Sequence, residues 1–186
     1  YAGSGKNNMF FGKNAYFATN NIALNGATGF TLTFGTEKYS QDNGSVFQNS
    51  EFHIFLSQDG AKWVELTDYT FAGGETEGRW HIATANFSVP EGTENLSICM
   101  QVDVASSYRM DDMVLAVTGK EGTAVDFTGA VEMDFTAGGS SNPGTNPGGG
   151  EADGNAIYSN NYDKTAATKT YGSGSSWPYL DQFEGW

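Results

Sequence analysis

Few side chains in this sequence combine into a recognisable catalytic group. Its two histidines, His53 in EFHIFLS and His81 in GRWHIA, lie in stretches of alternating polarity, with no nucleophile in a turn beside them. Glu75 and Glu77 could form the carboxylate pair of a glycosidase, but their glycine-rich setting, GGETEGR, favours solvated loop charges. Cys99 has no neighbouring histidine or second cysteine to activate it. The sequence therefore predicts a non-catalytic protein.

Charge and composition exclude several classes of partner. The chain carries 22 acidic residues against 9 basic residues, and its net charge of −13 repels phosphate backbones and anionic lipid surfaces. The glycine-rich GGE and SGK stretches lack the Lys-Ser/Thr helix start of a phosphate-binding loop. No apolar run reaches the roughly 18 residues that a membrane-spanning helix needs. We expect neither a nucleic-acid partner nor direct membrane insertion.

Residues 1–136 have the pattern of an all-β domain. Short stretches of alternating polarity are separated by turns rich in Gly, Asn and Asp about every ten residues, as in antiparallel β-sandwiches. Helical periodicity is absent. Four stretches predict side chains that face the core: Phe30, Leu32 and Phe34 in GFTLTFG; Phe52, Ile54 and Leu56 in EFHIFLS; Leu96, Ile98, Met100, Val102 and Val104 in LSICMQVDV; Met113, Leu115 and Val117 in DMVLAV. The predicted fold class is an all-β, antiparallel β-sandwich.

The clearest local signal is a hairpin turn in the segment Gln58-Asp59-Gly60-Ala61. The Asp59–Gly60 pair tolerates the positive φ angles of a tight turn. Trp63 follows closely enough to fold over the hairpin or into the core, and packing is favoured over stacking on a ligand. The single cysteine, Cys99, excludes an internal disulfide, and alternation places it on the less buried face of its strand.

The composition changes after residue 136. Residues 137–154, AGGSSNPGTNPGGGEADG, lack large apolar side chains and predict a linker between domains. Residues 155–186 regain aromatic side chains but are too few to form a sandwich of their own. The expected organisation is a module, a linker and the opening segment of a second module.

The hairpin SQDGAKW, with Ser57, Asp59, Gly60 and Trp63, resembles that of galactose-binding-like jelly-roll domains, which include many carbohydrate-binding modules. Further stretches, SGKNNMFFGKNAYF, EGRWHIATANFSVPEG and SSYRMDDMVLAV, are similar to a module of secreted and surface-anchored proteins of Bacteroidota. The resemblance covers nearly all of residues 1–135. It implies a jelly roll at the cell surface or outside the cell, whose role is non-catalytic glycan binding.

The order of segments differs from that of the resembling modules. There, a stretch like IYSNNYD with WPYLDQFEGW opens the domain, whereas here it follows the linker. This reversal implies tandem modules cut out of phase, so that the chain is an excised part of a longer protein. Residues 155–186 would then complete the sandwich in cis or a neighbour's in trans. The alternative function is a structural repeat of a surface fibre or adhesin, with neighbouring copies as partners.

The glycan hypothesis needs exposed aromatic rings that stack on sugar CH groups. The aromatic residues outside the core stretches are the candidates, while Trp80 is assigned to packing. For each candidate the alternative is a ring that fastens its own loop to the sandwich. The candidate ligand-binding residues are Tyr39, Tyr69, Tyr108, Trp177 and Tyr179.

The resemblance also implies a structural calcium near the terminal strand, where Asp111 and Asp112 lie. Neighbouring strand residues point to opposite faces, so one carboxylate would face the cation while the other pairs with Arg109. Calcium takes six or more oxygen ligands, and Asn161 and Asp163 of the opening segment are candidates for the remainder. A calcium site and a purely structural ion pair are both left open.

Overall fold

The computed structural model describes residues 8–12, 14–39, 47–72, 80–103, 107–133 and 155–160. Apart from one short 3₁₀-helix, their regular secondary structure consists of β-strands, arranged in two sheets that pack face to face around an apolar core. No helix in these ranges is long and apolar enough to cross a membrane. The predicted all-β sandwich is confirmed.

The first sheet contains seven strands and carries most of the features discussed below. All its pairs are antiparallel except that of β10 (Thr123–Ala124) with β7 (Trp80–Ser88). Its main path runs β1 (Met9–Phe11), β9 (Ser107–Val117), β3 (Gly29–Tyr39), β7 (Trp80–Ser88) and β10 (Thr123–Ala124). Two further strands, β12 (Ala156–Asn160) and β6 (Thr70–Ala72), pair with β9 and β7 respectively.

The second sheet contains five strands. Its order is β11 (Val131–Glu132), β5 (Lys62–Glu65), β4 (Phe52–Ser57), β8 (Asn95–Val102) and β2 (Tyr16–Ala23). A short 3₁₀-helix at Phe127–Gly129 precedes β11. Because β2 contacts β12 of the first sheet, these two strands lie at the same side of the sandwich, opposite β11.

The turn between β4 and β5 has the predicted chemistry. Gly60 adopts a φ of 73°, and its N–H donates to Ser57 Oγ at 2.8 Å. Asp59 Oδ1 accepts hydrogen bonds from the N–H groups of Ala61 and Lys62, both at 2.8 Å. These bonds, that of Lys62 first, lower the pKa of Asp59. The Asp-Gly hairpin is therefore confirmed.

The core is aromatic at its centre. Phe52 lies between four rings, with centroid distances of 5.4 Å to Phe11, 5.6 Å to Phe34, 5.7 Å to Phe47 and 5.8 Å to Tyr108. The core positions predicted by alternation are buried, except that Val117 is partly buried and Val104 lies outside the described residues. Those confirmed as buried are Phe30, Leu32, Phe34, Phe52, Ile54, Leu56, Leu96, Ile98, Met100, Val102, Met113 and Leu115.

A second apolar cluster lies outside this core. Cys99 packs there with Phe55 and Trp63, and all three are buried. The packing role predicted for Trp63 is confirmed. The expectation that Cys99 lies on a less buried face is wrong, because Phe55 of the neighbouring strand β4 and Trp63 of β5, the next strand along, bury it. This burial raises the pKa of the Cys99 thiol well above its usual value.

A β-bulge interrupts β9 at the acidic pair. Thr33 lies opposite Val114 and Gly35 opposite Asp111, so two residues of β9 face Phe34 alone. Asp112 adopts a φ of 49°, and Asp111 Oδ1 accepts a hydrogen bond from its N–H at 2.9 Å. The bulge interrupts the regular alternation from which the opposite-face placement of Asp111 and Asp112 was predicted, and that placement stays a prediction.

Truncation of Phe52 tests the aromatic centre. We expect Phe52→Ala to lower the free energy of unfolding by about 3–5 kcal/mol, through lost burial and the cavity left among the neighbouring rings. The matched control, Thr33→Ala on the outer face of β3, should cost less than about 1 kcal/mol. Urea unfolding followed by tryptophan fluorescence measures both. Equal losses would contradict the proposed centre of the core.

Candidate functional site

Two of the predicted ligand-binding tyrosines are core residues. The Tyr108 hydroxyl donates to Glu51 Oε2, which also pairs with Lys38 Nζ at 2.7 Å. The Tyr69 hydroxyl donates to the carbonyl of Phe52 at 2.7 Å. Burial raises the pKa of both phenols. The expectation that these rings are exposed is corrected: both fasten chain segments to the sandwich, which was the alternative interpretation.

The side chains of the other three aromatic candidates lie outside the described part of the chain. Tyr39 is the last residue of β3, but its side chain lies outside what the structure describes. Trp177 and Tyr179 fall in residues 161–186, which also lie outside the described ranges. Their role in glycan binding stays a prediction, as does the linker assigned to residues 137–154.

The acidic pair was the candidate for calcium. Asp111 is buried, and its Oδ1 already accepts the N–H of Asp112. Asn161 and Asp163 lie outside the described residues. Among the residues that the structure describes, no group of three or more His, Cys, Asp or Glu side chains is arranged to hold a metal ion. The calcium site stays a prediction.

A row of four side chains crosses the outer face of the first sheet, and the sequence did not predict it. Phe10 lies opposite Arg109, Arg109 opposite Glu37, and Glu37 opposite Trp80. Residues directly opposite each other in antiparallel strands share a face. We call these four residues the outer-face row. It spans three strand spacings, about 14 Å.

The outer-face row combines aromatic and charged groups. Arg109 Nη1 lies 3.0 Å from Glu37 Oε1, and the Arg109 guanidinium lies over the Phe10 ring, 6.0 Å from its centroid. Glu37 is buried, whereas Phe10 and Trp80 are half-buried. Beside the row, Ile82 is 44% exposed. Arg109 thus pairs with Glu37 of the neighbouring strand, and an ion pair with Asp111 or Asp112 stays a prediction.

His53 lies between two carboxylates on the second sheet. Its Nδ1 is 2.7 Å from Glu65 Oε1, and its Nε2 is 3.1 Å from Asp103 Oδ2. Burial alone would lower the pKa of His53, but hydrogen bonds and charge from Glu65 and Asp103 together raise it above 6.5. The two carboxylates bind the two nitrogens of the imidazole ring from opposite sides. We call this arrangement of Glu65, His53 and Asp103 the His53 clamp.

The outer edge of β9 is occupied by a strand from beyond the predicted linker. Residues 156–160 pair with Met113–Ala116, and the N–H of Val117 donates to the carbonyl of Asn155 at 2.9 Å. Tyr158 lies opposite Leu115 and is 5% exposed within the core. We call Met113–Ala116 of β9 the acceptor edge. The sequence indicated this role only through the reversed order of segments.

The same edge of β9 also carries β1. Met9 lies opposite Met110 and Phe11 opposite Tyr108, so β1 continues where β12 leaves off. Both strands are antiparallel to β9 and therefore run in one direction, end to end. The bulge at Asp111–Asp112 separates the two halves of the edge.

Comparison with protein-family models, curated proteins and solved structures finds no match for this chain. We therefore infer function from the geometry of the acceptor edge and of the outer-face row.

The His53 clamp predicts a pH-dependent stability. The folded-state pKa is raised, so the contribution of the clamp is fully present below about pH 6.5 and is lost as the pH rises through the folded-state pKa. His53→Gln should remove this decline between about pH 6 and pH 9. Urea unfolding at several pH values in that window measures it. An unchanged decline in the variant would contradict the assignment, and His81→Gln is the histidine control.

Proposed function

We propose that this chain is a non-catalytic, galactose-binding-like module of a secreted or cell-surface protein, acting as a structural repeat whose sandwich is completed by a strand delivered across a linker. The observation that carries the proposal is the pairing of β12 with the acceptor edge. A strand from beyond the linker thereby becomes part of the module in front of it.

Contacts of two kinds support this role. Backbone pairing satisfies N–H and C=O groups of β9 that would otherwise face outward as an open sheet edge. The buried ring of Tyr158 adds apolar contact with the same core that the other strands enclose. A segment that is held by backbone pairing and by a buried ring joins successive parts of a chain. Such a joint suits a repeat of a surface fibre or adhesin.

Glycan binding is a second candidate function, which the outer-face row favours. Half-buried rings beside a partly exposed arginine are groups with which proteins bind sugars, since rings pack on CH groups and a guanidinium bonds to hydroxyls, while the buried Glu37 holds Arg109 in place. Trp80 takes the place of the buried Tyr69 and Tyr108 as the aromatic candidate in the described part of the chain. Partial exposure of the Arg109 side chain, 19%, leaves it able to contact a ligand.

Substitution of Tyr158 tests the structural proposal. We expect Tyr158→Ala to lower the free energy of unfolding by about 2–4 kcal/mol, because a buried ring is removed from the core. Asn155→Ala, at the exposed residue just before the strand, is the control and should change stability by less than about 0.5 kcal/mol. Deletion of residues 151–186 should cost at least as much as Tyr158→Ala. Unchanged stability in the deletion would contradict the proposal.

Substitution of Trp80 tests the glycan proposal. We expect the intact chain to bind members of a glycan array, and Trp80→Ala to weaken that binding about ten-fold through loss of ring stacking. Thr84→Ala, on the same face of β7 but away from the row, should leave binding unchanged. Isothermal titration calorimetry with the best array ligand measures both. No binding by the intact chain would remove this candidate.

A further inference from the structure

We infer that β12 is exchangeable between molecules, and that the acceptor edge of β9 binds the β12 strand of a second copy of this chain. The inference rests on the proposed function, since it names the partner of the same edge. Three observations support it: the positions at which the segment between β11 and β12 begins and ends, the contacts that hold β12, and the direction in which β12 runs.

The segment that joins β11 to β12 begins and ends at opposite sides of the sandwich. β11 is the edge strand of the second sheet on the side of β5, whereas β12 contacts β2 at the other edge of that sheet. Four strand spacings separate those edges, roughly 20 Å. A chain that returns β12 to its own β9 must therefore cross the full width of its own module.

Residues 134–154 are long enough for that crossing but do not require it. At about 3.3 Å per residue, a segment of this length spans at most roughly 70 Å, which exceeds the width of the module. Their composition, rich in Gly, Pro, Ser and Asn, specifies no one path. A linker of this length thus allows β12 to pair either with β9 of its own module or with β9 of a neighbouring copy.

The contacts that hold β12 are the same in either case. They comprise the pairing with Met113–Ala116, the bond from Val117 N–H to Asn155 and the burial of Tyr158, and all are made with one sandwich. Exchange of an identical element between copies preserves every such contact, which makes it a low-cost route to assembly. The ratio of exchanged to self-paired molecules is then set by linker length and protein concentration.

The direction of β12 fits a head-to-tail arrangement. It leads toward Met9, the start of β1, so an incoming strand lies in line with the first strand of the module that accepts it. A heterologous contact of this kind, in which each copy gives one strand and accepts one, extends into open chains or closes into rings.

Cysteine pairs across the acceptor edge test the inference in the full chain. Val114 and Ser159 are direct partners in the antiparallel pair, at a spacing that permits a disulfide. One variant carries Val114→Cys, a second carries Ser159→Cys, and a third carries both. Buried Cys99, with its raised pKa, stays inert to oxidation. The mismatched control mixes a Val114→Cys variant with an Ala156→Cys variant. Ala156 pairs with Ala116 and not with Val114.

We expect a mixture of the two single variants to form disulfide-linked heterodimers on non-reducing gels, in a yield that rises with protein concentration. Deletion of residues 136–152 from both variants should make heterodimers dominant at every concentration. It leaves four linker residues, which reach about 17 Å and cannot cross the module.

Three outcomes distinguish exchange of β12 between copies from pairing of β12 within its own module. Heterodimers in the mixture, absent from the mismatched control, support exchange. An internal disulfide in the double variant, with no heterodimer from the mixture and a monomeric linker deletion, overturns exchange but leaves the proposed function intact. No disulfide in any variant overturns both, because β12 would then not lie on β9.

Discussion

The structure depends on keeping both edges of β9 paired, because a strand that covers the core carries two rows of backbone N–H and C=O groups that need hydrogen-bond partners. β3 satisfies one edge from Phe30 to Tyr39. The opposite edge is divided between β1 and β12, which come from distant parts of the chain. The bulge lies between the two halves of this shared edge, and Tyr158 is buried where β12 pairs with it.

The bulge at Asp111–Asp112 serves both halves of that edge. Met110 and Met113 both face the core although three positions separate them, which an unbroken strand of period two does not allow. The extra residue resets the alternation, so that β1 pairs before the bulge and β12 after it. The positive φ of Asp112 carries a backbone cost, and the hydrogen bond from its N–H to the Asp111 carboxylate partly offsets it.

Local patterns predicted much of the fold, whereas the sites depend on contacts between distant strands. Alternation placed Phe30, Leu32 and Phe34 in the core, and the Asp59–Gly60 pair predicted its hairpin, because both signals act over a few residues. The outer-face row requires the register of four strands, which no local pattern contains. The same holds for Tyr69 and Tyr108, which lie outside the alternating core stretches and are buried by Phe47 and Phe52 from other elements.

Amide hydrogen exchange at Val117 tests whether residues 155–160 complete the sheet, since the Val117 N–H donates to the carbonyl of Asn155. If β12 completes the sheet, exchange of the Val117 amide requires global unfolding and is correspondingly slow. The reference is Val102, whose N–H donates to Ala15 and does not involve β12. Similar protection of the two amides is the predicted result. Rapid exchange at Val117 beside a protected Val102 would show an open edge and contradict the account.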